Sequence, residues 1–260
     1  MSVVWLVALL SSSPESGALL YRSAHSAPFG TYADWRSFME RAPDPSQRPA
    51  MLDGYIDRES FDMCFADSPG WELEAHTIRR EWITYMSDGL RVRALLVRRA
   101  QTDTNAQPLI VFLHGGVARW GKITSLDILE MCHWASQGVA VLAPTYRGEM
   151  GSEGRPNLGA GEVADVLHAV KAVEGIESID SSRAVLWGFS RGGATAYRVL
   201  AASERFRAAV ILAGPTDRIG DPRREEFHTH VYPGIVDDYE SDPDSALGAI
   251  SAIQWPERLA

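Results

Sequence analysis

From residue 107 onward the sequence alternates short apolar runs with longer stretches of helical period. The apolar runs are PLIVFLHGG (108–116), VAVLAP (139–144), RAVLWG (183–188) and FRAAVILAG (206–214). Short strands without an alternating polar face are buried on both sides. Between them, SLDILEMCHWASQG, GEVADVLHAVKAVEG and SRGGATAYRVLAASE repeat apolar residues near every 3.6 positions, and Gly138 supplies a helix stop. This repetition predicts an α/β fold with a parallel sheet covered by helices on both faces. Ahead of it, REWITYM and LRVRALLVRR alternate around Ser87-Asp88-Gly89, which predicts an antiparallel hairpin at one edge of the sheet.

The 260 residues suffice for one large α/β domain, which we place at 78–260. Residues 1–77 read as a lead-in, broken by Pro14, Pro28, Pro43, Pro45, Pro49 and Pro69, with short helical patches such as YADWRSFMERA. Val3 to Leu10 is an apolar run followed by small residues, like the start of a secretory signal. No basic residue precedes Arg22, and the run is too short to span a bilayer. A cytoplasmic place is therefore favoured over a secreted one. A net charge of −9, with arginines in pairs rather than stripes, argues against a nucleic-acid partner. Cys64 and Cys132 stand far apart with no partner at ligand spacing; they read as buried free thiols, not a disulfide framework or a metal site.

The chemistry centres on Gly188-Phe189-Ser190-Arg191-Gly192, a G-x-S-x-G pattern followed by Gly193. The strand ends at Gly188 and the helix begins at Arg191, so Ser190 occupies a tight strand-to-helix turn. Small neighbours relieve the crowding there and leave Oγ exposed. The helix N-terminus beneath the serine favours negative charge developing on a bound substrate. The alternative is a serine that merely caps the helix. A second signal is His114-Gly115-Gly116 at the end of the first buried strand. Acyl transfer needs two donors aimed at the oxyanion, and the backbone N–H groups of Arg191 and Gly116 are the natural pair. His114 precedes the glycines, a position suited to orienting that loop rather than acting as a base.

Taken together, FLHGG, APTYRGEMGSEG, DVLHAVKAV, DSSRAVLWGFSRGGATAY and RAAVILAGPTD stand in an order and spacing that resembles the prolyl oligopeptidase family. That family comprises α/β-hydrolase serine peptidases and related esterases, and the resemblance covers about two thirds of the chain. It is nearest to dipeptidyl aminopeptidase or acylaminoacyl peptidase-like members, here without room for a propeller before residue 78. The resemblance implies the α/β-hydrolase fold, Ser190 as nucleophile on a small peptide or ester substrate, and no metal or organic cofactor. It also places Tyr146-Arg147-Gly148 in a loop close to the active site, with Gly115 and Tyr146 supporting the oxyanion loop. From the residues alone, Arg147 reads as structural rather than substrate-binding.

Chain order in this fold is Ser, then Asp, then His. After VILAGPTD comes the polar excursion PRREEFHTHVYPGIVDDYESDPDSALGAISAIQ, and the sequence ends at WPERLA. The family's acid and histidine loops, with their strands, are expected beyond Ala260. Asp217, His228 and His230 are the residues present that could substitute in a rearranged triad. The last strand, FRAAVILAG, would then be an exposed apolar edge open to self-association. Two readings follow: a serine hydrolase acting through Ser190, or a non-catalytic α/β-hydrolase-like chain that keeps the pocket without the triad.

Overall fold

A computed structural model describes residues 14–24, 77–100, 105–117, 121–221 and 224–259. The apolar run at 3–10, most of the lead-in with its helical patches, and Cys64 lie outside the described residues.

Among the described residues seven strands form one sheet. They are β1 (Leu19–Ala24), β2 (Ile78–Ser87), β3 (Leu90–Arg99), β4 (Gln107–Leu113), β5 (Ala140–Pro144), β6 (Ile179–Phe189) and β7 (Ala209–Leu212), in the order β1-β2-β3-β5-β4-β6-β7. Strands β5, β4, β6 and β7 run parallel, and β3 joins antiparallel to β5. The helices are α1 (Ser125–Ser136), α2 (Ala160–Val173), α3 (Arg191–Ala202), α4 (Arg224–His230), α5 (Tyr232–Ile235) and α6 (Pro243–Ala249), followed by two 3₁₀ turns at Ala252–Gln254 and Pro256–Leu259. None of the described helices is long and apolar enough to cross a membrane.

Local chemistry accounts for the boundaries. Asp88 and Gly89 both take positive φ, 49° and 79°, the backbone twist that a two-residue hairpin between β2 and β3 requires. Thr124 and Asp127 form a reciprocal capping box at the start of α1. Gly138, at φ 87°, ends that helix, and its N–H returns to the Ala135 carbonyl. The hairpin is not the edge of the sheet. Leu19–Ala24, from the proline-broken lead-in, pairs antiparallel with β2 outside it. At the opposite edge β7 has only four residues. Among the described residues it pairs with β6 alone, and Val210 and Leu212 are 52% and 44% exposed.

Alternating residues of the central strands feed two cores. Leu109, Val111 and Leu113 of β4 pack with Val166, Val170 and Val199 of α2 and α3. Phe112 points the other way, toward Ile128, Met131 and the buried Cys132 of α1. A third cluster, around Leu158, Tyr232, Tyr239 and Leu247, seats the excursion of α4 to α6.

The register of β4 on β6 positions the site. Leu113 lies opposite Gly188. The segments His114–Gly116 and Phe189–Ser190 therefore leave the sheet side by side at the carboxyl ends of parallel strands, where open α/β sheets bind ligands.

Candidate active site

Ser190 has φ 52° and ψ −115°, a conformation that costs a non-glycine residue about 1–3 kcal/mol. The surroundings hold it there. Its N–H donates to the Leu212 carbonyl at 2.8 Å, and its own carbonyl accepts from Ala194 N–H at 3.1 Å. Glycines around it are steric necessities. A Cβ at Gly188 would lie 2.5 Å from the Gly192 carbonyl oxygen, and one at Gly193 would lie 2.7 Å from Gly214 Cα. Although Ser190 stands at the N-cap position of α3, its side chain makes no capping hydrogen bond. Oγ is not committed to holding the helix.

Gly115 lies against the turn. A Cβ there would meet Phe189 Cδ1 at 3.0 Å and Ser190 Cβ at 3.4 Å. The amides of Gly116 and Arg191 have no hydrogen-bond partner among the described residues. His114 is 1% exposed, its Nδ1 is 2.9 Å from the Gly115 carbonyl oxygen, and its ring packs 4.6 Å from that of Tyr146. Burial pushes its pKa down to about 4; the Gly115 hydrogen bond opposes that shift and the Arg191 charge adds to it. The imidazole is therefore neutral near pH 7. Tyr146 is fully buried at φ 56°, and burial raises its hydroxyl well above the ordinary value.

Beneath the turn lies an ionic network. The Arg191 guanidinium, 2% exposed, donates through Nη1 to Glu149 Oε1 at 2.6 Å and to the Gly116 carbonyl at 2.8 Å. Through Nη2 it reaches Glu162 Oε1 at 2.6 Å. Its Cζ lies 4.8 Å from the centre of the Tyr146 ring. Glu162 also accepts from Thr195 Oγ1 and Arg198 Nη2, each at 3.1 Å. Burial alone would disfavour the Arg191 charge, but Glu162 and Glu149 more than reverse it and raise its pKa. Sequence alone points to the Arg191 backbone amide and not to Glu149, Glu162 or Arg198, which the fold brings together around its side chain. A signal was present: Arg191, Thr195 and Arg198 stand at i, i+4 and i+7, one polar stripe on an otherwise small and apolar helix.

Arg147 donates through Nε and Nη2 to the buried Asp165 and through Nη2 to Asp88, while Asp165 also accepts from Ser87 Oγ at 2.6 Å. Its guanidinium ties the hairpin turn to α2. Two of the three substitute residues are hydrogen-bonded elsewhere. His228 Nδ1 hydrogen-bonds the Tyr239 hydroxyl, His230 is exposed, and Asp217 Oδ1 accepts from Ile219 and Gly220 N–H in its own turn. Among the described residues no side chain hydrogen-bonds Ser190 Oγ. A cleft of about 520 Å³, with Val163, Arg198, Asp242 and Trp255 in its walls, lies beside the C-terminal half of α3 and is not lined by Ser190. Among the described residues no group of His, Cys, Asp or Glu is placed to hold a metal ion.

An elbow serine beside a glycine loop is found in several hydrolase lineages, so the lineage rests on comparison. Residues 124–245, which include β5, the elbow and α3, match the prolyl oligopeptidase family. A Bacillus subtilis (strain 168) protein described as the uncharacterized peptidase YtmA is 33% identical over 116 residues, 45% of this chain. Over that stretch the chain is similar to the prolyl oligopeptidase family. It spans 43% of the length of that curated relative. Among solved structures it resembles puromycin hydrolase, with TM-score 0.59 and 18% identity over 74% of this chain and 30% of that one. It also resembles an acylaminoacyl peptidase bound to Z-Gly-Gly-Phe-chloromethyl ketone, with TM-score 0.58 and 18% identity over 71% of this chain and 31% of that one. At such identities the likeness is one of fold, and the fold is that of the α/β-hydrolases.

Proposed function

We propose that this chain is a serine hydrolase of the prolyl oligopeptidase family that cleaves a peptide or ester bond through an acyl-enzyme on Ser190. The observation that carries this reading is a serine held in a strained turn, free of capping duty, beside two amides that have no partner among the described residues. Ser190 Oγ attacks the substrate carbonyl and passes its proton to a base. The tetrahedral oxyanion is stabilised by Gly116 and Arg191 N–H. The carbonyl then re-forms, the bond to the leaving amine or alcohol breaks, and the leaving group takes the proton. Water hydrolyses the Ser190 ester in a second, equivalent step. Buried and neutral, with Nδ1 on the Gly115 carbonyl, His114 serves the loop rather than the proton transfer.

A second reading, a binding protein on the same scaffold, is favoured by one observation: no described side chain reaches Ser190 Oγ. Labelling with a fluorophosphonate, with and without added imidazole, separates the two. The hydrolase reading predicts a single adduct on Ser190, lost in Ser190→Ala. Faster labelling with imidazole means that the base is supplied to the serine from outside these side chains; insensitivity to imidazole means a base within the chain. No adduct under either condition favours the binding protein. A panel of aminoacyl anilides and short-chain esters then distinguishes peptidase from esterase.

A further inference from the structure

Three consecutive carbonyls of the loop after β4 each meet a different buried side chain. The Tyr146 hydroxyl donates to the His114 carbonyl at 3.5 Å, His114 Nδ1 lies 2.9 Å from the Gly115 carbonyl oxygen, and Arg191 Nη1 donates to the Gly116 carbonyl at 2.8 Å. In a trans peptide the N–H points opposite to the C=O of the same plane. The Gly115 carbonyl and the Gly116 N–H share one plane, so His114 sets the direction of that donor. The next plane is fixed by Arg191. The two planes meet at Gly116, where φ is 78° and a glycine backbone is otherwise at its loosest.

We propose that the Arg191 side chain is a positioning residue for catalysis, holding the Gly116 peptide so that the oxyanion loop stays in register with the Ser190 turn. The proposal rests on the serine hydrolase reading above. One residue would then serve both halves of the oxyanion site, its main-chain N–H as one donor and its guanidinium as the clamp on the other.

The chemistry of the side chain fits this task. Only a planar fork with several donors can reach the Gly116 carbonyl and Glu149 through one nitrogen and Glu162 through another. Glu149 comes from the loop after β5 and Glu162 from α2, so the guanidinium is braced from two independent elements. Stability does not explain such a group, because well-packed apolar residues commonly replace buried ion networks without loss. Fixed geometry does. The bond is charge-assisted and shielded from water, so it gives the loop one orientation.

The test compares the wild type with Arg191→Lys and with Arg191→Met combined with Glu149→Gln, which removes one buried charge of each sign. All are labelled with a fluorophosphonate in the presence of imidazole, and the maximal inactivation rate is separated from the reagent's apparent affinity. Losing one oxyanion donor costs about 100- to 1,000-fold. A misaimed donor should lower the maximal rate by about 10-fold in Arg191→Lys and about 100-fold in the double variant, with apparent affinity unchanged. Hydrogen exchange of the peptide covering 113–117 should quicken in the same order while β4 and β6 stay protected. If the wild type labels and both variants keep its maximal rate, the positioning role is overturned and the hydrolase reading stands. If the wild type does not label, the hydrolase reading falls and the catalytic role with it. Exchange then decides separately whether Arg191 holds the loop, and unchanged exchange overturns the clamp itself.

Discussion

Gly192 is packed against the main chain of Leu113 so closely that a Cβ on it would lie 1.8 Å from the Leu113 carbonyl oxygen. This contact joins the first turn of α3 to the end of β4 and fixes the spacing between the Ser190 turn and the loop at 114–116. Gly192→Ala cannot be absorbed by a side-chain rotation, since the obstacle is backbone. It should destabilise the chain by about 3 kcal/mol, the upper end of overpacking costs, and abolish Ser190 labelling. A denaturant midpoint equal to that of the wild type would show that the turn has slack the structure does not display.

His114 gives the chain a signed pH dependence. Its imidazole titrates near 6.5 when unfolded and is pushed down to about 4 when folded, first by burial. Between those values the unfolded chain binds a proton that the folded chain excludes, so stability falls as pH drops from 6.5 toward 4. At 1.36 kcal/mol per pH unit the loss is about 3 kcal/mol. Glu130, raised to about 7 by burial, works in the opposite sense, its contribution being lost as pH rises. The His114 part is therefore read from the difference between wild type and His114→Asn. A flat difference between pH 4 and 6.5 would contradict the buried neutral imidazole.

Arg147 should be structural. Arg147→Lys loses the two-nitrogen grip on Asp165 and should lower stability by about 1.5–3 kcal/mol, the worth of a hydrogen bond to a charged group. The labelling rate at Ser190 should not change. A weaker apparent affinity with unaltered stability would make Arg147 a substrate contact instead.

At the β7 edge, Phe189, Val210 and Leu212 are 50%, 52% and 44% exposed beside strand backbone that is unpaired among the described residues. An uncovered apolar edge of this kind favours pairing between copies. Sedimentation velocity should show concentration-dependent self-association that Val210→Lys reduces. A strictly monomeric wild type would remove the edge as an interface.

Much of this was legible in the sequence, for reasons tied to particular residues. The strands β4 to β6 announced themselves as apolar runs because their two faces feed the two cores, and the hairpin did so through Asp88-Gly89. Ser190 was readable because the turn it occupies demands glycines at fixed offsets. The β1 strand was not, since LLYRSA is short, half exposed and set in a proline-broken stretch. Nor was the Glu149–Arg191–Glu162 network. Its members lie 42 and 29 residues apart in the chain, and a charge in an apolar helix reveals its partner only once the fold is closed.

The most direct test of the account is to trap the acyl-enzyme. The purified chain is mixed with p-nitrophenyl acetate and imidazole, quenched in acid and digested, and the acetylated peptide is identified by mass spectrometry beside a Ser190→Ala control. The account predicts one acetyl group on Ser190 and none in the control. Acetyl on His228, His230 or a lysine, with Ser190 unmodified, would contradict it.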